Sequence, residues 1–238
     1  MVLTRACHRA PQKINSIWCP RLIDHYKGNL GLIMIAVVEY GCGNIGSIVN
    51  MLKKCGVDKV AIISDPCELR KASKIILPGV GSFDYGMKML CKLGFDEAIK
   101  EYAVSGGAMM GICLGMQLLT KSSEEGFLPG LGLVNAETLS FKRKNDFSLK
   151  IPHMGWNVVR QMKTSNYIGR PDEREERYYF VHSYYVKCNE SNDALFCSNY
   201  GVEFVAGFEK DQIMGLQFHP EKSHKFGMRV FKGFVEAL

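Results

Sequence analysis

Apolar residues fall in short blocks along this chain, and the period changes from block to block. MIAVVEY (34–40) is a continuous apolar run of strand length, followed by GCGN and then by Ile45, Ile48, Val49 and Leu52 at helical spacing. KVAIIS (59–64) and KIILPG (74–79) predict two more buried strands, and residues 84–104 predict a helix with Met87, Leu90, Ala98 and Tyr102 among its apolar positions. AMMGIC (108–113) predicts a strand that runs straight into a helix over LGMQLLTK (114–121). Strands alternating with helices imply an α/β fold, a mixed, mostly parallel sheet flanked by helices.

The second half changes character. YYFVHSYYV (178–186), ALFCSNYG (194–201), VEFVAGFEK (202–210) and QIMGLQF (212–218) are β-branched and aromatic, with few helix signals between them. They predict antiparallel strands extending the sheet, before KFGMRVFKGFVEAL (225–238) closes the chain as a helix. The fold is expected to open at Met34. Residues 1–33 then form an N-terminal extension, disordered or upstream of the true start, and 34–238 form one domain.

Composition narrows the function classes. Hydrophobic residues make up 47% and charged residues 23% of 238, the range of globular proteins, and no apolar run reaches the length of a membrane span. The net charge of +6 invites a nucleic-acid partner. However, five basic residues against Asp24 alone in 1–33 supply four of those charges, so the main body is nearly balanced and predicts no phosphate-binding face. Nine scattered cysteines include no CxxC pair and no zinc-like cluster with histidine. They read as reduced thiols of a cytoplasmic protein, with no metal and no cofactor expected.

One cysteine stands apart. GICLG (111–115) sets Cys113 between two glycines where a buried strand turns into a helix, the arrangement of a nucleophile elbow. The glycines permit a sharp turn, and the helix start behind it favours thiolate over thiol; the plainer alternative is a core cysteine. A thiolate that attacks a carboxamide needs a proton donor for the departing ammonia. QFHPEKS (217–223) supplies His219 at a strand end, with Glu221 two residues on. In extended chain that spacing returns to the same face, so Glu221 would fix the imidazole tautomer, although HPE is equally a plain surface turn. LPGVGSF (77–83) offers Gly79, Val80 and Gly81 as backbone N–H donors for an oxyanion, or simply as a turn.

PGVGSF, GICLGMQLL and GLQFHPEKS in this order resemble the class I (triad) glutamine amidotransferases, which have a flavodoxin-like fold. PHMGWN (152–157), YYFVHSYYV and EYGCGNIGS (39–47) look like the glutaminase subunit of imidazole glycerol phosphate synthase. The resemblance runs from Met34 nearly to Leu238. It implies a γ-glutamyl thioester on Cys113, proton shuttling by His219 under Glu221, and L-glutamine held by Gln117, His182, Ser183 and Tyr184. It also implies a heterodimer with a (β/α)8 barrel cyclase, docked through a loop carrying His153 and Trp156, and a glutaminase nearly silent until the cyclase and its nucleotide substrate bind. Gln117 also reads as an ordinary helix residue and Trp156 as a core tryptophan. The opening strand ends Glu-Tyr-Gly at Glu39, where the family usually has Asp. Two other functions remain in view, a partner that aminates sugars of surface polysaccharides and a non-catalytic scaffold.

Overall fold

The computed structural model describes residues 34–144, 149–171 and 174–237, so the extension predicted over 1–33 lies outside the described residues. Four short strands, β1 (Ile35–Val38), β2 (Val60–Ile63), β3 (Lys74–Leu77) and β4 (Ala108–Ile112), lie parallel in the order β2-β1-β3-β4. Side-chain alternation along β1 feeds two cores. Ile35 and Val37 face the helices α1 (Ile45–Lys54) and α5 (His224–Glu236), while Ala36 and Val38 face α2 (Phe83–Leu93) and α3 (Phe95–Val104). β1, β3 and β4 are buried on both sides and are continuous apolar runs for that reason, whereas β2, at the sheet edge, is only partly buried and leaves Ile62 51% exposed.

The remaining strands extend the sheet beyond β4, most of them in antiparallel pairs. After α4 (Leu114–Leu118) come β5 (Ser122–Ser123), β6 (Ala136–Ser140), β7 (His153–Gln161), β8 (Glu176–His182), β9 (Tyr184–Cys188), β10 (Ala194–Asn199), β11 (Glu203–Lys210) and β12 (Ile213–Leu216). The sheet continues β4-β12-β11-β10-β7-β8, with β9 and β6 branching from β11 and β5 pairing β6. Among the described residues no helix is long and apolar enough to cross a membrane.

Five expectations are corrected. The helix over 84–104 is two, broken where Gly94 takes a left-handed φ of 78°. The helix after the elbow stops at Leu118, and Thr120 Oγ1 bonds the Gln117 carbonyl at 2.7 Å as the chain turns away. The segment 212–218 is not purely antiparallel, because β12 inserts beside β4 in parallel register while pairing β11 antiparallel. YYFVHSYYV divides at Ser183, since β8 pairs β7 whereas β9 pairs β6 and β11. PHMGWN is not a loop: His153 to Trp156 open β7, whose pairing with β8 overrides the local Gly and Pro signals.

The chain's end is tied to its first half. Lys74, almost wholly buried at the start of β3, donates from Nζ to the carbonyls of Phe234 at 2.6 Å, Val235 at 3.1 Å and Ala237. These are the carbonyls that α5 leaves unpaired at its C-terminus.

Candidate active site

The elbow is steric in origin. Cys113 adopts φ 53°, ψ −111°, a left-handed backbone that few side chains accept, and its amide donates to the Leu216 carbonyl at 2.7 Å. A Cβ on Gly115 would lie 1.9 Å from the Leu77 carbonyl oxygen, and one on Gly111 would lie 2.8 Å from that of Gly115. Gly115 is therefore needed for α4 to lie this close to β3, and Gly111 for α4 to fold back against β4. The thiol points to the Val181 carbonyl at 4.0 Å.

His219 follows β12, and its amide donates to the Tyr179 carbonyl at 2.9 Å. Glu221 does reach its ring, with Nδ1 to Oε1 at 2.7 Å, but strand alternation is not the cause. Pro220–Lys222 forms a 3-10 turn that folds the carboxylate back, and both side chains are 2–3% exposed. Ser223 Oγ bonds the His219 carbonyl at 2.7 Å and accepts from Tyr179 N at 3.0 Å, fastening the turn to β8. His219 Nε2 is buried without a hydrogen-bond partner and is left to meet the sulfur or a substrate. Burial works against the imidazolium, yet the Cys113 sulfur and the Glu221 carboxylate outweigh it and lift His219 to about 9.

A cavity of about 310 Å³ joins these groups. Cys113 and His219 line it together with Val80 and Gly81 of the glycine loop, Gln117, and His182, Ser183 and Tyr184 at the β8–β9 break. Gly79 sits behind the loop, where a Cβ would meet the Gly115 nitrogen at 2.5 Å, and Gly81 takes φ 109°. The loop's root is held by Tyr40, whose buried hydroxyl donates to the Pro78 carbonyl at 2.7 Å.

The two residues expected at a partner interface separate. Trp156 is 46% exposed, beside Met154 at 66% and Val158 at 37%, and its ring stacks on His224. His153 instead is 2% exposed, stacked between Phe180 and Tyr200, so it presents no surface of its own. Sequence reasoning missed Glu125, which lines the cavity and accepts from Phe83 N at 2.9 Å, and whose carboxyl burial pushes up. It also passed over Gln217. Neither carries a local signal, because β5, β6 and β12 bring them in from elsewhere in the chain.

Residues 36–237 match the family described as glutamine amidotransferase class-I. The chain belongs to that family. Relatives of this amidotransferase include the imidazole glycerol phosphate synthase subunit HisH 2 of Methanococcus maripaludis, 50% identical over 85% of this chain and 99% of that protein. The subunit HisH 2 of Pseudomonas aeruginosa is 46% identical over 86% of this chain and all of its own length. Among solved structures, PurLQS of Thermotoga maritima overlays with a TM-score of 0.66 at 20% identity, over 86% of this chain and 98% of that one. The glutaminase domain of Trypanosoma brucei CTPS gives 0.57 at 17%, over 85% and 91%. At these identities the structures speak for the amidotransferase fold, a flavodoxin-like α/β sheet, and the relatives for the family.

Proposed function

We propose that this chain is the glutaminase subunit of an imidazole glycerol phosphate synthase, hydrolysing L-glutamine to glutamate and passing ammonia to a barrel cyclase in histidine biosynthesis. The observation that carries it is the opening of the strained Cys113 elbow onto a cavity whose wall also holds the Glu221-bound imidazole of His219. The sulfur attacks the carboxamide carbon, and the oxyanion is met by backbone N–H groups of Gly79, Val80 and Gly81. His219 gives its proton to the departing nitrogen, leaving a γ-glutamyl thioester. The neutral ring then takes a proton from water, whose oxygen attacks the thioester and returns the sulfur. Glu221 holds the tautomer and stabilises the imidazolium. Gln117, Ser183 and Tyr184 fit the amino-acid end of the substrate, with the Glu125 carboxylate as the natural counter-charge for its α-ammonium.

The relatives named for imidazole glycerol phosphate synthase support this acceptor, and they give no support to a sugar amidotransferase. The apolar stripe of Met154, Trp156 and Val158 along β7 is the docking face we assign to the cyclase. Purified cyclase and its nucleotide substrate should raise glutamate release by orders of magnitude over the chain alone. A rate indifferent to both, or equal in Cys113→Ser, would overturn the reading.

A further inference from the structure

Gln217 has no exposed surface, yet both ends of its amide are engaged at the nucleophile. Its Oε1 accepts from Gln117 Nε2 at 3.1 Å, and its Nε2 lies 3.8 Å from Cys113 Sγ. The direction of these bonds is set by a single backbone carbonyl. Tyr184 O can only accept, and it takes Gln117 Nε2 at 3.3 Å as well as His182 Nδ1 at 2.7 Å. The Gln117 nitrogen must therefore face that carbonyl, and its second N–H turns to Gln217 Oε1. The Gln217 nitrogen is left pointing at the sulfur. A flipped Gln217 would set two amide nitrogens against each other, with the Gln217 amide wholly buried.

We propose that Gln217 is a positioning residue for the nucleophile, its side-chain N–H holding the Cys113 sulfur toward the cavity and favouring thiolate over thiol. This rests on the reading of Cys113 as the nucleophile. An N–H donor strengthens its bond when the sulfur carries charge and loses it as the thioester forms. Gln217 therefore raises the thiolate fraction at neutral pH without making each thiolate more reactive, because a better-stabilised thiolate is a weaker nucleophile. Relative to His219, which both stabilises the thiolate and moves protons, Gln217 adds only the stabilisation.

The test is the rate at which iodoacetamide alkylates Cys113 in the full chain as a function of pH, read by peptide mass, with the exposed Cys67 as internal reference. Gln217→Glu keeps the acceptor for Gln117 but puts an oxygen against the sulfur, and Gln217→Met removes donor and acceptor together. Both should shift the apparent pKa of Cys113 alkylation upward by about one unit, roughly tenfold slower reaction at neutral pH, with the alkaline plateau kept or raised. Unshifted profiles in both variants, or a lowered plateau at an unchanged midpoint, would overturn the proposal. A wild-type Cys113 no more reactive than Cys67 would instead overturn the nucleophile reading itself. Should the substitutions prevent folding, isotope-labelled glutamine side chains of the wild type answer the same question. One amide signal should follow the midpoint of Cys113 alkylation, and the absence of any such signal would count against Gln217.

Discussion

The imidazoles of His153 and His182 share a hydrogen bond, Nδ1 to Nε2, of 2.9 Å in the buried seam between β7 and the cavity. Because His182 Nδ1 donates to the Tyr184 carbonyl at 2.7 Å, its Nε2 must accept. His153 Nδ1 then donates, and His153 Nε2 accepts from Asn157 Nδ2 at 3.2 Å. The ladder works only while both rings are neutral, since a proton on either would set two N–H groups face to face.

Acid should therefore weaken the fold through this pair. Burial lowers His153 to about 4, and burial, opposed by the Tyr184 carbonyl, lowers His182 to about 3. The unfolded chain takes up these protons near pH ~6.5, so the stabilisation is fully present above that value and is lost as pH falls toward the folded values. Each ring adds up to ~1.4 kcal/mol per pH unit to the slope. Urea unfolding at neutral and at mildly acid pH should show His153→Gln losing less stability on acidification than wild type. Equal losses would remove the pair from the account.

Glu221→Gln tests the proton shuttle. His219 keeps its place through Tyr179 and Ser223, but loses one of the two groups that lift it to about 9. A raised histidine is charged below its folded pKa and neutral above it, so the variant's imidazolium should disappear at lower pH. With partner present, kcat should fall by ~10²-fold to 10⁴-fold, and the alkaline limb of the rate profile should move toward neutrality. A full-rate variant with an unmoved limb would assign the acid to another group.

Lys74→Met should loosen the chain's end. The substitution keeps the apolar stem but leaves the carbonyls of Phe234, Val235 and Ala237 without their donor, a loss of ~1–3 kcal/mol in urea unfolding. Hydrogen exchange should speed first in the last turn of α5. Lys71→Met, which breaks only the exposed pair with Glu68, should cost under ~0.5 kcal/mol, and similar losses in the two variants would contradict the cap.

The elbow at Cys113, the proposed nucleophile, was legible in the sequence because its requirement is local: only glycine at 115 lets α4 pass the Leu77 carbonyl. His219 and Glu221 were legible as a pair, but for the wrong reason, since a 3-10 turn started by Pro220 and not strand alternation brings them together. Glu125 and Gln217 were not legible, for their meaning depends on partners at Phe83, Gln117 and Cys113 that only the assembled sheet supplies. PHMGWN read as a loop because Gly155 and Pro152 are turn residues in isolation. Its conformation is decided by pairing with β8, and Gly155, at φ 129°, is the point where that strand needs a residue without a side chain.

Trp156 gives the proposed partner face its test. Its ring is 46% exposed and rests on His224, so truncation to alanine removes contact area mainly from whatever docks there and little from the core. If the cyclase covers β7, Trp156→Ala should weaken its binding by ~30-fold or more, the scale of a hot-spot aromatic, while the unfolding midpoint of the free chain stays near wild type. Val104, 88% exposed at the end of α3, supplies the contrast, and Val104→Ala should leave binding unchanged. Calorimetric titration with the cyclase measures both. Undiminished affinity in Trp156→Ala would move the docking face away from β7 and leave the exposed Met154 and Val158 beside it without a partner.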